Sequence, residues 1–130
     1  MVTGRLVAGI GIRPGTAAAD ILACLDEALA IAGLAGAPTP RFATLASRAG
    51  EAGLVAAAAD RAAELVAVPD TALTDFAAAC ATHAPRIAAR YGVGSVAEAA
   101  ALAAAGPGGA LVQPRIATGR VTCALARAAS

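Results

Sequence analysis

Short apolar runs alternate along this chain with longer stretches of helical periodicity, and this alternation limits the fold more than any other feature. The first run, Leu6–Ile12, is followed by a turn at residues 13–15. Thr16 is predicted to cap the next helix and Gly33 to end it. Its apolar stripe recurs at four-residue steps: Ile21, Leu25 and Leu29. Such an order of elements predicts an α/β protein.

The same alternation continues to the end of the chain. Further strands are predicted over Arg41–Leu45 and residues 64–68, 110–113 and 121–126. Further helices are predicted over residues 51–63, from Asp70 or Thr71 through Cys80, and over residues 85–91. A last helix is predicted from the capping box Ser95–Glu98 to Ala105. The polar segment 114–120 is predicted to separate the last two strands, which can be antiparallel. We therefore expect one domain spanning residues 1–130, a sandwich of helices on a mixed, partly parallel sheet of about five strands.

The composition excludes several classes of protein. The chain is 58% hydrophobic, but about a third of its 130 residues are alanine. Its longest charge-free stretch, between Glu98 and Arg115, is interrupted by glycines and a proline, whereas a membrane helix needs about 20 unbroken apolar residues. The run Leu6–Ile12 is too short for a signal peptide. We therefore expect a cytoplasmic protein with no membrane partner.

Cysteine, histidine and charge content point away from metals and nucleic acids. Cys24, Cys80 and Cys123 are far apart in sequence, and His83 is the single histidine. This pattern predicts neither a disulfide framework nor a metal site, and each cysteine is expected to be a small buried apolar residue. All ten basic residues are arginine, but the net charge is +1 and aromatics make up 2%. No cofactor and no nucleic-acid partner are predicted.

The segment GIGIRPGT, between the first strand and the first helix, is the best candidate for a ligand site. Its glycines allow close approach of a ligand, the free N–H groups and dipole of the helix attract an anion, and Arg13 adds a charge-assisted contact. An ordinary strand–helix turn that needs glycine for its dihedral angles is an equally good interpretation. Gly9, Gly11 and Gly15 are spaced GxGxxxG, which is a weak match to a dinucleotide fingerprint because no acidic residue ends the second strand.

A second candidate is the loop after the predicted second strand, which holds Arg48 and Glu51. Loops at the carboxyl ends of neighbouring parallel strands meet over one crevice, so these residues are expected to lie near Arg13. The alternative is an exposed ion pair that contributes little. Glu98 is explained by the capping box, and His83 is interpreted as a helix-end residue.

Four segments together resemble the CobE / CbiG C-terminal domain family of cobalamin (vitamin B12) biosynthesis. They are GIGIRPGT, the loop with Arg48, Glu51, Gly53 and Leu54, the segment GVGSVAEAAAL, and the closing VTCALAR. In the anaerobic pathway this domain ends cobalt-precorrin-5A hydrolase, which opens a lactone on the macrocycle and releases acetaldehyde. Standalone members belong to the aerobic pathway, and this chain is most similar to them. Arg48 and Arg115 stand where relatives usually have lysine.

The resemblance implies a protein that binds a precorrin or a hydrogenobyrinic-acid-like corrinoid. The residues expected to contact its carboxylates are Gly9, Gly11, Arg13, Gly15, Thr16, Arg48 and Arg115. Two alternatives remain open. If the protein is a lactone hydrolase, Glu51 would activate water and Arg48 would stabilise the oxyanion. The other is a regulatory module that binds a nucleotide or phosphate.

Overall fold

The computed structural model describes residues 5–79 and 95–129, which contain a five-stranded mixed sheet with helices on both faces. In chain order the elements are strand β1 (Leu6–Ile12), helix α1 (Ala18–Ile31), strand β2 (Arg41–Leu45), helix α2 (Ala52–Asp60), strand β3 (Leu65–Val68), a 3-10 helix (Asp70–Ala79), helix α3 (Val96–Ala105), strand β4 (Ala110–Thr118) and strand β5 (Val121–Arg127). The predicted α/β class is confirmed. Cys80, His83 and the helix predicted over residues 85–91 lie outside the described residues.

The strand order is β3-β2-β1-β5-β4, with β1, β2 and β3 parallel. Strand β5 is antiparallel to both β1 and β4. Helices α1 and α2 connect successive parallel strands in the same direction along the sheet, so right-handed crossovers place both on one face. The β4–β5 hairpin extends the sheet on the other side of β1, and its two strands are antiparallel, as their adjacent positions in the sequence allowed.

The core has two layers, because successive residues of β1 point to opposite faces. Ile10 packs with the apolar residues of α1 and α2, including Leu25 and Leu54. Val7 packs on the other face with α3. The sheet-facing residues of α3 are mostly alanines, so this helix lies close to the strands. A β-carbon at Gly9 would overlap the carbonyl oxygen of Ala97, and the absence of a side chain at Gly9 permits this close approach.

The ends of the first two helices differ from the predictions in different ways. The N-cap of α1 is Ala17, not Thr16, so the predicted cap was wrong by one residue. At the other end Gly33 has a φ of 74°, and the Leu34 N–H donates a hydrogen bond to the Leu29 carbonyl at 2.7 Å. The helix is therefore terminated by a left-handed glycine, as predicted. Helix α2 ends at Asp60 rather than at residue 63.

Strand β4 is longer than predicted. It continues to Thr118, whereas residues 114–120 were predicted to separate the last two strands. Pro114 fits because β4 is an edge strand and its register shifts between Gln113 and Ile116, so the missing N–H breaks no regular ladder. The Arg115 N–H, which the irregularity frees from the ladder, donates to Glu98 Oε2 at 2.8 Å.

Ser95 and Glu98 begin α3 as the sequence predicted. The Ser95 hydroxyl accepts a hydrogen bond from the Glu98 N–H at 3.2 Å, which confirms this half of the capping box. Both side chains are fully buried. Because the Glu98 carboxylate also accepts from the Arg115 N–H, it ties the first turn of α3 to the irregular part of β4.

Candidate functional site

The three parallel strands end on one side of the sheet, here named the C-terminal edge, where Ile12, Leu45 and Val68 are the last strand residues. Helices α1 and α2 start from loops on this edge. Because Val121 pairs with Ile12, the turn between β4 and β5 lies there too. The C-terminal edge therefore gathers three loops and one hairpin turn, the usual place for a ligand in an open α/β sheet.

The loops that precede α1 and α2 are joined by a direct hydrogen bond. The Gly15 N–H donates to Glu51 Oε1 at 2.9 Å. Glu51 is the N-cap of α2, but its side chain makes no capping bond within its own helix. Gly53 allows the loops to come together, because a β-carbon there would overlap the carbonyl oxygen of Thr16. The sequence-predicted residues Gly15, Thr16 and Glu51 thus lie together.

This contact changes the expected anion cradle. The Gly15 amide already binds the protein's own carboxylate, and the Thr16 hydroxyl, which is buried, donates to the Arg13 carbonyl at 2.6 Å. Asp20 lies in the first turn of α1. Glu51 and Asp20 place negative charge near the positive end of the α1 dipole. The polar groups of this turn are therefore partly satisfied from within the chain.

The first two glycines of the predicted cradle lie inside the sheet. Gly9 is buried beneath α3, where Ala97 and Ala101 pack against it. A β-carbon at Gly11 would overlap the hydroxyl oxygen of Thr122 on β5. Backbone packing explains Gly9, whereas the contact at Gly11 is with a side-chain hydroxyl that can rotate. Both glycines lie within β1 and not in the loops at the C-terminal edge.

The arginines are distributed unevenly between the two sides of the sheet. Arg41 and Arg61, on the side opposite the C-terminal edge, pair with acidic residues. Arg61 contacts Asp26 with two hydrogen bonds, of 2.8 and 2.9 Å. On the C-terminal edge Arg13 is exposed and Arg48 is half-buried, and within the described residues neither has a carboxylate oxygen within 4 Å. The predicted exposed ion pair between Arg48 and Glu51 is therefore not formed.

Arg115 and Arg120 lie on the hairpin. The side chain of Arg115 is half-buried on β4, which β5 separates from β1, so the structure does not bring it to the Gly15–Glu51 contact. Arg120 is exposed in the turn at the C-terminal edge. Arg120 was not among the predicted site residues. A glycine before it, between two strand-like segments, is typical of a two-residue turn, but the predicted end of β4 at residue 113 concealed this signal.

The remaining titratable groups do not form a metal centre. In the part of the chain that the structure describes, no three His, Cys, Asp or Glu residues cluster as metal ligands. Cys24 and Cys123 are buried free thiols, as predicted. Desolvation raises the pKa of both, so neither is an activated nucleophile. None of the helices over residues 5–79 and 95–129 has the length and apolar character of a membrane span.

Fold and site together define a small α/β protein whose parallel strands end in an arginine-bearing edge. The family model described as "Cobalamin synthesis G C-terminus" matches residues 6–126, and the chain belongs to this family. It is a protein of cobalamin biosynthesis.

Two solved structures are similar to the whole chain. CobE, a protein from the cobalamin (vitamin B12) biosynthetic pathway, is 30% identical with a TM-score of 0.87, over 97% of this chain and 92% of CobE. Cobalamin biosynthesis protein chiG from Agrobacterium tumefaciens strain C58 is 39% identical with a TM-score of 0.75, over 96% of this chain and 99% of chiG. A search of curated proteins finds no significant match.

Proposed function

We propose that this protein binds a precorrin or a hydrogenobyrinic-acid-like corrinoid at the C-terminal edge. The observation that carries the proposal is the pair of arginines there, Arg13 and Arg48, which have no carboxylate partner within 4 Å among the described residues. A corrinoid intermediate is a flat ring with acetate and propionate groups on its rim. Guanidinium groups bind such carboxylates through charge-assisted, often bidentate, hydrogen bonds.

The structure narrows the residues that we assign to this role. Gly9 and Gly11 lie within β1, and the Gly15 amide already binds Glu51, so guanidinium groups rather than backbone amides are the main contacts. Thr16 supports the loop through its bond to the Arg13 carbonyl. Arg115, two strands from β1 or roughly 10 Å away, is assigned to an outlying carboxylate of a wide ligand.

Calorimetric titration with hydrogenobyrinic acid tests the proposal. We expect saturable binding by the unmodified protein and a loss of about tenfold or more in affinity for Arg13→Ala and for Arg48→Ala. Arg5→Ala is the matched control, because Arg5 is also exposed but precedes the opposite end of β1. Absence of binding at micromolar ligand, or equal losses in Arg5→Ala and Arg13→Ala, would contradict the proposal.

Lactone opening is a second candidate, favoured by one contact. The Gly15 N–H orients the carboxylate of Glu51, and Arg48 lies on the same edge, so a general base and an oxyanion-stabilising cation would come from one loop. Glu51→Gln is the sharpest variant, because an amide oxygen still accepts from Gly15 while the base is removed. The assay is acetaldehyde release from the lactone-bearing intermediate. Full activity in Glu51→Gln removes Glu51 from this role.

A nucleotide- or phosphate-binding module is the third hypothesis, and a thermal-shift screen separates it from the first two. A corrinoid-binding protein is expected to show no shift with nucleotides. A nucleotide-dependent rise in Tm, with none for hydrogenobyrinic acid, would favour the regulatory module. Location in the cytoplasm stays a prediction.

A further inference from the structure

The turn between β4 and β5 places a third arginine on the C-terminal edge. Thr118 pairs with Val121, so Gly119 and Arg120 form a two-residue hairpin turn. Gly119 has a φ of 59°, the left-handed value required at the first central position of a type II′ turn. A turn this short allows little backbone variation. It therefore holds Arg120 beside the end of β1.

The backbone positions of Arg13 and Arg120 lie next to the same end of the β1–β5 ladder. Ile12 and Val121 are paired residues, and paired α-carbons in an antiparallel sheet are about 5 Å apart. Arg13 directly follows Ile12, and Arg120 directly precedes Val121. Like charges in opposite positions destabilise a sheet. Both side chains are exposed, and no Asp or Glu of residues 5–79 or 95–129 lies within 4 Å of either guanidinium.

From this juxtaposition we infer that Arg13 and Arg120 together bind one carboxylate of the ligand, while Arg48 binds a second carboxylate of the same molecule. The inference rests on the proposed function, and it adds a binding residue and a spacing requirement. A carboxylate between Arg13 and Arg120 would remove their mutual repulsion, and two guanidinium groups provide enough N–H donors for both of its oxygens.

The spacing of the strands selects the class of ligand. Arg48 follows β2 and Arg120 precedes β5, and these strands lie on opposite sides of β1. With about 4.8 Å between neighbouring strands, the backbone positions from which Arg48 and Arg120 extend are roughly 10 Å apart. A lone phosphate contacts both sides only if the long arginine side chains converge on one point. A rigid macrocycle with carboxylates around its rim bridges both sides and loses little conformational entropy on binding.

A double-mutant cycle with hydrogenobyrinic acid, measured by calorimetry, tests the shared carboxylate. We expect Arg120→Ala and Arg13→Ala each to weaken binding about tenfold or more, and the double variant to weaken it by clearly less than the product of the two. Arg5→Ala is expected to stay within about twofold. Unchanged affinity in Arg120→Ala with loss in Arg13→Ala, or fully multiplicative losses, would overturn the pair and leave the proposed function standing.

A second measurement does not depend on the corrinoid. Citrate is titrated into the isotope-labelled protein while the arginine Nε–H resonances, assigned with the single variants, are followed. A joint shift of Arg13 and Arg120, lost for both in either variant, supports the shared site even if hydrogenobyrinic acid fails to bind and the proposed function is wrong. Shifts confined to other arginines, or no shift at all, would overturn the pair.

Discussion

Replacing Gly9 with alanine separates a packing role for this glycine from a ligand-binding role. The new β-carbon would overlap the Ala97 carbonyl oxygen and lie 2.7 Å from the backbone nitrogen of Ala101. Because these are backbone atoms of α3, no side-chain rotation relieves the collision, and the helix must move away from the sheet. Overpacking destabilises by about 1–3 kcal/mol, and a backbone collision places Gly9→Ala near 3 kcal/mol.

Thermal denaturation followed by circular dichroism measures this effect. At about 4 °C per kcal/mol for a domain of this size, the Tm of Gly9→Ala is expected to fall by about 12 °C. Gly36→Ala is the control, because a β-carbon there meets nothing within 4 Å and the φ of Gly36 is not left-handed. Its Tm is expected to change by only a few degrees, and upward if at all. An unchanged Tm in Gly9→Ala with loss of corrinoid binding would refute the packing explanation and return Gly9 to the ligand site.

Three further predictions concern stability. Ala62 has a φ of 52°, so Ala62→Gly is expected to raise the free energy of unfolding by about 0.5–1 kcal/mol in urea denaturation, and a decrease would contradict this. Glu98→Ala leaves the Arg115 N–H without its acceptor and is expected to lower the free energy of unfolding by about 2–3 kcal/mol. Glu98→Gln keeps an acceptor and is expected to lower it by less. Equal losses in the two variants would argue against a role for this hydrogen bond. The hydrogen bond from Arg61 holds the pKa of Asp26 below its ordinary value of 3.8, so the stabilisation is present above that pH and is lost as the pH falls through the lower folded-state pKa. As the pH is lowered, the free energy of unfolding is expected to fall less in Arg61→Ala than in the unmodified protein. Identical pH dependences in the two proteins would contradict this prediction.

Local patterns predicted the strands and helices best where they are tied to apolar periodicity or to a special residue. The run Leu6–Ile12 is a strand with the predicted limits, and Gly33 takes the left-handed conformation just after the end of α1. The end of α2 was missed because Ala62, and not a glycine, adopts the left-handed conformation there. In an alanine-rich chain, neighbouring alanines look equally helical, so nothing local marks this stop. The continuation of β4 past Pro114 was missed because only the tertiary structure shows that β4 is an edge strand.

The candidate site was predictable only in part, because some of its features depend on contacts between residues distant in sequence. Parallel strands carry their loops to one edge, so the proximity of the Gly15 and Glu51 loops followed from the order of the elements. The hydrogen bond between Gly15 and Glu51 did not follow, because it depends on a close approach that Gly53 permits. The position of Arg120 depends on the pairing of Val121 with Ile12, residues that are distant in sequence.

Under the proposed function, the carboxylate of Glu51 adds a selectivity to the C-terminal edge that arginines alone would not give. Small anions commonly bind the free amides before a helix, but here the Gly15 amide is occupied by a carboxylate that also repels an incoming one. The same negative charge lies on the loop of Arg48, at the point where the hydrogen bond to Gly15 joins it to the loop of Arg13. For the proposed acidic ligand, the favourable contacts are therefore those with the guanidinium groups. A compact anion can use few of them at once, whereas a broad molecule with carboxylates along its rim engages several and keeps its centre away from Glu51.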